Sequence, residues 1–168
     1  MSLTESQEKS LEKAKNYFKA ASNNLLYQKW RSAAIEDFAF YDGEKQFPEK
    51  VIKKLRERGQ EAITVNKIKA MVKQCCGTEI NTRMLVAFRS HSFDEEEQLL
   101  ARALTHVGFA VQKDQNFAFY GSLKFRDGLV SGLGWSQVFN LNGKIHYDYV
   151  HPLNLIYDAN DFSPQLIK

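Results

Sequence analysis

Apolar side chains recur every three or four positions along residues 4–40, and this spacing predicts an amphipathic helix. The clearest stripe comprises Leu11, Ala14, Phe18, Ala21 and Leu25. An unbroken helix of this length would extend about 55 Å, at 1.5 Å per residue, which is longer than a compact domain of this size needs. The stretch Ser22-Asn23-Asn24 forms helix weakly and leaves a bend or a break as the alternative. We expect such a long helix to lean on another chain.

Several shorter helices are predicted after residue 44 by residues that favour helix ends. The turn Tyr41-Asp42-Gly43 closes the first helical stretch. Pro48 suits the first turn of a short helix, and Gly59 suits the position just after its end. The later helices are marked by Asn66 as an N-cap, by Ser92 with Glu95 as a capping box, and by the apolar spacing of residues 116–130.

Two alternating segments towards the C-terminal end predict a β-hairpin. Residues 135–141 and 144–150 each alternate apolar and polar side chains, and Asn142-Gly143 between them favours a type I′ turn. Residues 84–88 and 153–157 predict two further short strands. The fold class is therefore α+β, with a long N-terminal helix, several shorter helices and a small, mainly antiparallel sheet that includes the C-terminal hairpin.

The composition is that of an ordinary globular chain. It has 168 residues, of which 43% are hydrophobic and 26% are charged, close to the average for folded domains. No apolar run reaches the length of a membrane-spanning helix, and the polar N-terminus is not a secretory signal. The two cysteines, Cys75 and Cys76, are adjacent, so they predict reduced thiols in a cytosolic compartment. We divide the chain into a long helical segment, residues 1–44, and an α+β domain, residues 45–168.

Standard catalytic and cofactor motifs are absent from the sequence: it has no phosphate-binding loop, no zinc-type Cys or His spacing and no nucleophile elbow. His146 and Asp148 form the best catalytic pair, because alternation puts them on one strand face. A third converging group is missing, so a polar outer face is the simpler interpretation. Cys75 and Cys76 could be reactive thiols, but a packed helix face is the simpler interpretation. The acidic residues 94–97 could bind a cation, but a solvated helix start is the simpler interpretation. We predict no enzyme, no cofactor and no metal.

Basic residues concentrate between residues 45 and 73. Residues 1–90 contain 17 Lys and Arg against 11 Asp and Glu, whereas residues 91–168 contain 6 against 9, so different faces are expected to meet different partners. A basic helix can bind phosphate backbones without sequence preference. A non-specific nucleic-acid-binding accessory module is therefore the alternative function, and a solvated helix face is the simpler interpretation. The candidate residues are Lys50, Lys53, Lys54, Arg56 and Arg58.

Three segments carry motifs whose order and spacing are distinctive together. Residues 30–43 end an early helix in a Tyr-Asp-Gly turn, residues 63–83 contain the Asn-capped helix, and residues 127–158 contain a glycine-rich approach to the hairpin followed by Pro and Tyr-Asp. In this order they resemble the portal proteins of short-tailed, podovirus-type phages. The positions that match the family motifs are Trp30, Asp37, Tyr41, Asp42, Gly43, Asn66, Gly77, Gly134, Trp135 and Pro152. The sequence departs from the family at Asn81-Thr82-Arg83, where one residue separates the usual Asn-Arg pair.

The resemblance implies a structural role without catalysis. Portal proteins form homo-oligomeric rings, typically of twelve subunits, at one capsid vertex. The terminase drives DNA through the ring, and the tail attaches to it. The resemblance also implies that this chain is the N-terminal, wing-like part of a longer subunit from a phage or prophage, found in the virion or the bacterial host cytoplasm. Its terminase, capsid and tail partners would bind through regions mostly outside this chain, and no membrane is implied.

Overall fold

The structure, a computed structural model, describes residues 4–83 and 86–160 and confirms the α+β class. The helices are α1 (Glu5–Ser22), α2 (Leu25–Asp42), α3 (Glu49–Glu57), α4 (Lys67–Asn81), α5 (Glu95–Asp114) and α6 (Phe117–Ser131). They precede a hairpin of β1 (Trp135–Leu141) and β2 (Lys144–Val150) and a 3-10 turn, Pro152–Asn154. Helix α6 is the centre of the arrangement, because α2, α4, α5 and both strands pack against it.

The predicted long N-terminal helix is broken into two helices of 18 residues each. Asn24 causes the break: its backbone is extended, and its side chain accepts hydrogen bonds from the amides of Leu26 at 2.8 Å and Tyr27 at 3.3 Å. An asparagine that binds nearby amides in this way favours a helix start over a helix interior. The unbroken helix over residues 4–40 is therefore wrong, and the alternative of a break at Ser22-Asn23-Asn24 is confirmed.

The ends of α3 and the start of α4 follow the predicted signals. Pro48 lies immediately before α3, and Gly59 follows its end with a φ of +68°. Glycine adopts this left-handed conformation without a steric cost, which is why it suits the position. Asn66 is the N-cap of α4, since its side chain accepts a hydrogen bond from the Lys69 amide at 2.9 Å.

The start of α5 differs from the predicted capping box. Asp94, and not Ser92, is the N-cap, and its carboxylate accepts a hydrogen bond from the amide of Glu96 at 3.3 Å. The Ser92 hydroxyl instead donates to the side chain of Glu97. Asp94 is the better cap here because its negative charge also lies at the positive end of the helix dipole. Residues 94–97 are all exposed, as a solvated helix start requires.

The hairpin forms where it was predicted. Strands β1 and β2 pair antiparallel from Trp135 opposite Val150 up to the turn. Both turn residues have positive φ, 53° at Asn142 and 79° at Gly143, as a type I′ turn requires. An isolated pair of strands is only marginally stable in water, so its packing against α6 is needed to hold it.

The two other predicted strands are wrong for the residues that the structure describes. Residues 84–85 lie outside those residues, and residues 86–88 are irregular. The Phe88 amide donates to the hydroxyl of Thr105 on α5 at 3.0 Å instead of to a neighbouring strand. Residues 153–157 do not pair either: residues 152–154 form a 3-10 turn, and the Leu155 carbonyl accepts a hydrogen bond from the Tyr27 hydroxyl on α2 at 3.1 Å.

The buried core is small among the described residues. It comprises Tyr27, Ala34, Asp127, Ser131, Tyr147, Pro152 and Ala159. The accessible surface is 13904 Å² for a chain of 19.4 kDa, whereas a compact monomer of this mass would expose about 8,500 Å². Apolar side chains of α1, α4 and α5 remain exposed, among them Phe18, Met71 and Leu99. In the described part of the chain, no helix is both long enough and apolar enough to cross a membrane.

Candidate functional site

The Tyr41-Asp42-Gly43 turn meets Asn66, which lies 25 residues beyond Tyr41. The side-chain amide of Asn66 donates to the carbonyl of Tyr41 at 2.8 Å, while its oxygen caps α4. Gly43 has a φ of +89°, and a Cβ there would lie 3.3 Å from Asn66 Nδ2. Lys69 Nζ lies 3.2 Å from Asp42 Oδ1 and 5.2 Å from the centre of the Tyr41 ring. Two separate motif segments thus form one joint between α2 and α4.

Trp30 ties α2 to the end of α6 and to the C-terminal segment. Its indole N–H donates to the carbonyl of Ser131 at 2.9 Å, and its ring centre lies 5.5 Å from that of Tyr157. Trp135 also packs against Tyr157, at 5.8 Å. Pro152 is fully buried and begins the 3-10 turn that packs against α2. Three motif positions therefore lie where α2, the hairpin and the C-terminal segment converge.

Asp127 is fully buried on α6 and joins that helix to β2. Its carboxylate accepts hydrogen bonds from the guanidinium of Arg126, at 2.7 and 2.9 Å, and from the hydroxyl of Tyr149. Burial, together with the hydrogen bond to Asp127 and its negative charge, raises the pKa of Tyr149, so this hydroxyl remains a donor. The hydroxyl of Ser131 donates to the Asp127 carbonyl at 2.9 Å. This satisfied buried charge fixes the hairpin on α6.

Gly134 marks the closest approach of two backbone segments. A Cβ at this position would lie 2.1 Å from the carbonyl oxygen of Lys124 on α6, well inside van der Waals contact. A Cβ at Gly128 would lie 3.9 Å from the amide nitrogen of Gly134, on the same side of α6. The segment that leads into β1 can therefore cross α6 this closely only because Gly134 has no side chain.

A second polar cluster, formed by Glu79, Arg83 and Ser122, joins α4 to α6. Arg83 donates to both carboxylate oxygens of Glu79, at 2.8 and 2.9 Å. Arg83 also donates to the Ser122 hydroxyl at 2.7 Å, and that hydroxyl donates to Glu79 at 2.9 Å. The hydrogen bond from Arg83 lowers the pKa of Glu79. Arg83 is the arginine of the Asn-Arg pair that Thr82 interrupts in this sequence. It contacts α6 despite that extra residue.

Two motif positions take no part in these contacts. Asp37 is exposed, and it forms no hydrogen bond or ion pair with any residue that the structure describes. Gly77 lies inside α4, and a Cβ there would meet nothing within 4 Å. Neither close packing nor an unusual backbone conformation requires glycine at that position. The family role of both residues stays a prediction.

The five basic candidate residues lie on α3 and at its end. Lys50, Lys53 and Lys54 share one helix face, because they are spaced three and four residues apart. Arg56 follows Lys53 by three residues and Arg58 follows Lys54 by four, so both extend the same basic surface. All five side chains are exposed, and none forms a salt bridge with an acidic residue in the described ranges. Their charges are therefore open to a partner.

The candidate catalytic groups do not assemble into a site. His146 and Asp148 share one face of β2, but the imidazole stacks on Phe139 with the ring centres 5.3 Å apart. Within the described residues, no group of three His, Cys, Asp or Glu is placed to hold a metal ion. Cys75 is exposed, so the packed face predicted for both cysteines is wrong for this one. Burial raises the pKa of the Cys76 thiol, which disfavours its reactive thiolate.

Sequence reasoning missed the two polar clusters and one apolar surface. Asp127 begins the third motif segment and Glu79 lies within the second, but neither motif indicates the polar contacts of these carboxylates. An acidic residue inside an apolar helix often marks a buried partner. The apolar surface lies on α5 and the hairpin, where Leu100, Val107 and Val138 are each more than half exposed. Their spacing identifies them as apolar faces, but the structure leaves those faces in solvent.

One comparison with known proteins gives a match. A sequence model of the family described as Phage P22-like portal protein matches residues 15–164, which is most of the chain. The matched range contains all ten motif positions and both polar clusters. Comparison with curated proteins and with solved structures finds no significant match.

Proposed function

Because the chain belongs to the family of P22-like phage portal proteins, we propose that it forms part of the ring at the capsid vertex through which DNA is packaged and to which the tail attaches. In this proposal it is the outer, wing-like part of a longer subunit. Residues 1–44 are its helical segment and residues 45–168 its α+β domain. The family is structural, so the chain acts by packing against other chains in the virion. Terminase, capsid and tail proteins bind other parts of the subunit.

The exposed surface is the observation that best supports an assembly role. The chain exposes 13904 Å², far above the roughly 8,500 Å² of a compact monomer of its mass. Large apolar side chains on α1, α5 and the hairpin are accessible to solvent, and Leu99 on α5 is 69% exposed. Monomeric proteins rarely leave apolar surface of this extent uncovered. Neighbouring copies in a ring would cover it.

Light scattering on the product of the complete reading frame tests this proposal. We expect size-exclusion chromatography with light scattering to give a mass near that of a ring of about twelve subunits, because a repeated head-to-tail contact closes into a ring. Electron microscopy of the same fraction should show rings with a central channel. A product that is strictly monomeric at every concentration and salt would contradict the proposal.

A second candidate function is non-specific nucleic-acid binding by α3. The observation that favours it is the exposure of Lys50, Lys53, Lys54, Arg56 and Arg58 without an acidic partner in the described residues. Charges in this arrangement can neutralise backbone phosphates and release counterions. A portal subunit lies next to packaged DNA, so this candidate is compatible with the first one.

Charge reversal on α3 tests the second candidate. The double variant Lys53→Glu/Lys54→Glu should weaken binding to duplex DNA of any sequence and lower the slope of log affinity against log salt by about 2. Fluorescence anisotropy titrations at several salt concentrations measure both quantities. Lys13→Glu/Lys19→Glu on α1 is the matched control with the same change in net charge. Equal losses in the two variants would show that net charge alone attracts DNA, and no loss in either would exclude α3 binding.

A further inference from the structure

An apolar groove lies between α5, the hairpin and residues 86–88. It has an open volume of about 380 Å³, and its walls include Phe88, Leu104, Val107, Val138, Ile145 and Tyr147. Val107, Val138 and Ile145 are 59%, 67% and 52% exposed. Contact of such surfaces with water is unfavourable, so the groove is a surface that an apolar partner would cover.

Tyr147 is a buried part of the groove wall. Its side chain is 5% exposed and packs against Phe117, with ring centres 4.3 Å apart. The buried hydroxyl has no hydrogen-bond partner among the described residues. Leaving a buried hydroxyl unpaired costs free energy.

Helix α1 carries an apolar stripe that matches the stripe of α5. On α1 the stripe comprises Leu11, Ala14, Phe18 and Ala21, and on α5 it comprises Leu100, Leu104, Val107 and Val111. Both alternate steps of three and four, the spacing that lets side chains of two helices interlock. No residue of α1 is buried, although Phe18 and Ala21 at the end of the stripe lie beside Ile156 and Asp158. In the described part of the chain, Leu11 and Phe18 of the stripe remain 44% and 59% exposed.

We propose that α1 of one copy of the chain occupies the groove of a second copy and lies antiparallel to α5. This inference rests on the proposed ring and names a contact that would build it. Since α1 and the groove are different surfaces of the chain, the contact is heterologous and passes from each copy to the next.

The charges on the two helices select the antiparallel direction. Residues 13–22 of α1 contain three lysines and no acidic residue, whereas residues 5–12 contain three glutamates and one lysine. The first turn of α5 contains three glutamates and follows Asp94. Antiparallel docking brings the lysines of α1 towards these acids, and parallel docking would bring its glutamates there. Charge pairs at the rim of an interface set its orientation more than its affinity.

Disulfide trapping between two variants of the chain tests the contact. Both variants carry Cys75→Ser and Cys76→Ser; one adds Leu11→Cys on α1, and the other adds Val107→Cys in the groove. On mixing and mild air oxidation, we expect about ten-fold more crosslinked heterodimer than with matched control pairs, because a disulfide needs close and aligned Cβ atoms. The controls replace Leu11→Cys by Lys13→Cys, or Val107→Cys by Arg102→Cys, each on another face of the same helix.

Each result of this experiment has one interpretation. A Leu11→Cys variant that crosslinks mainly to itself would overturn the inference, because α1 would then pair with α1. If light scattering shows an oligomer but the Leu11–Val107 pair crosslinks no better than the controls, the inference fails while the proposed ring stands. If the product of the complete reading frame is monomeric, the proposed function fails and the inference fails with it.

Discussion

Replacement of Asp127 by alanine is expected to lower the free energy of unfolding by about 3–5 kcal/mol, the cost of breaking a buried charge pair. Asp127 is fully buried and accepts hydrogen bonds from Arg126 and Tyr149. Without the carboxylate, Arg126 keeps its charge in a partly buried position and the Tyr149 hydroxyl loses its acceptor. The hairpin would lose its polar attachment to α6. Urea unfolding measures the change, provided that the m-value stays constant.

Two further variants separate the role of the buried network from a general effect of substitution. Asp37→Ala makes the same chemical change at an exposed position without a described partner, and we expect a change within about 0.5 kcal/mol. Tyr149→Phe removes one hydrogen bond and keeps the carboxylate, so a loss of about 1–3 kcal/mol is expected. If Asp127→Ala were no more destabilising than Asp37→Ala, the network would not hold the hairpin on α6.

Replacement of Gly134 by alanine is expected to destabilise the chain by about 3–4 kcal/mol, at the upper end of the cost of overpacking. The added Cβ would lie 2.1 Å from the Lys124 carbonyl oxygen. That neighbour is backbone of α6 and cannot rotate away, so β1 must move off the helix. Thermal unfolding gives the size of the effect, and the fluorescence of the adjacent Trp135 reports whether the hairpin has shifted.

Gly77→Ala is the matched control, and its effect should have the opposite sign. A Cβ at Gly77 meets nothing within 4 Å, and the residue lies inside α4. Alanine is the better helix former, so we expect this variant to be more stable by about 0.5–1 kcal/mol. Destabilisation by both substitutions to the same extent would contradict the close approach assigned to Gly134.

Features that depend on a few neighbouring residues could be predicted from the sequence. Asn66 caps α4 because its side chain reaches an amide three residues ahead, and Asn142-Gly143 makes the hairpin turn because both residues tolerate positive φ. A break of the N-terminal helix near Asn24 could be foreseen as an alternative, because asparagine also favours a helix start over a helix interior. Such preferences act over one turn of chain, so they are visible in the order of the residues.

Features that depend on distant partners could not be predicted. Residues 86–88 have the composition of a strand, but the Phe88 amide binds the side chain of Thr105. Residues 153–157 also look like a strand, but the segment packs on α2, where the Leu155 carbonyl accepts a hydrogen bond from the Tyr27 hydroxyl at 3.1 Å. A strand needs a partner edge, and only the packing of the whole chain decides whether one is present.

The sequence by itself determined the end of α3, the start of α4, the hairpin, the motif order that indicates a portal protein and the absence of a catalytic motif. These depend on local backbone preferences and on residue order. The tertiary structure alone decided that Tyr41 meets Asn66, that Asp127 and Tyr149 share a hydrogen bond, and that the stripes of α1 and α5 keep exposed side chains in the described part of the chain. Periodicity shows that a helix has an apolar face but not what covers it. For α1 and α5 the described part of the chain leaves much of that face exposed, and a second copy of the chain is the partner that we propose to cover it.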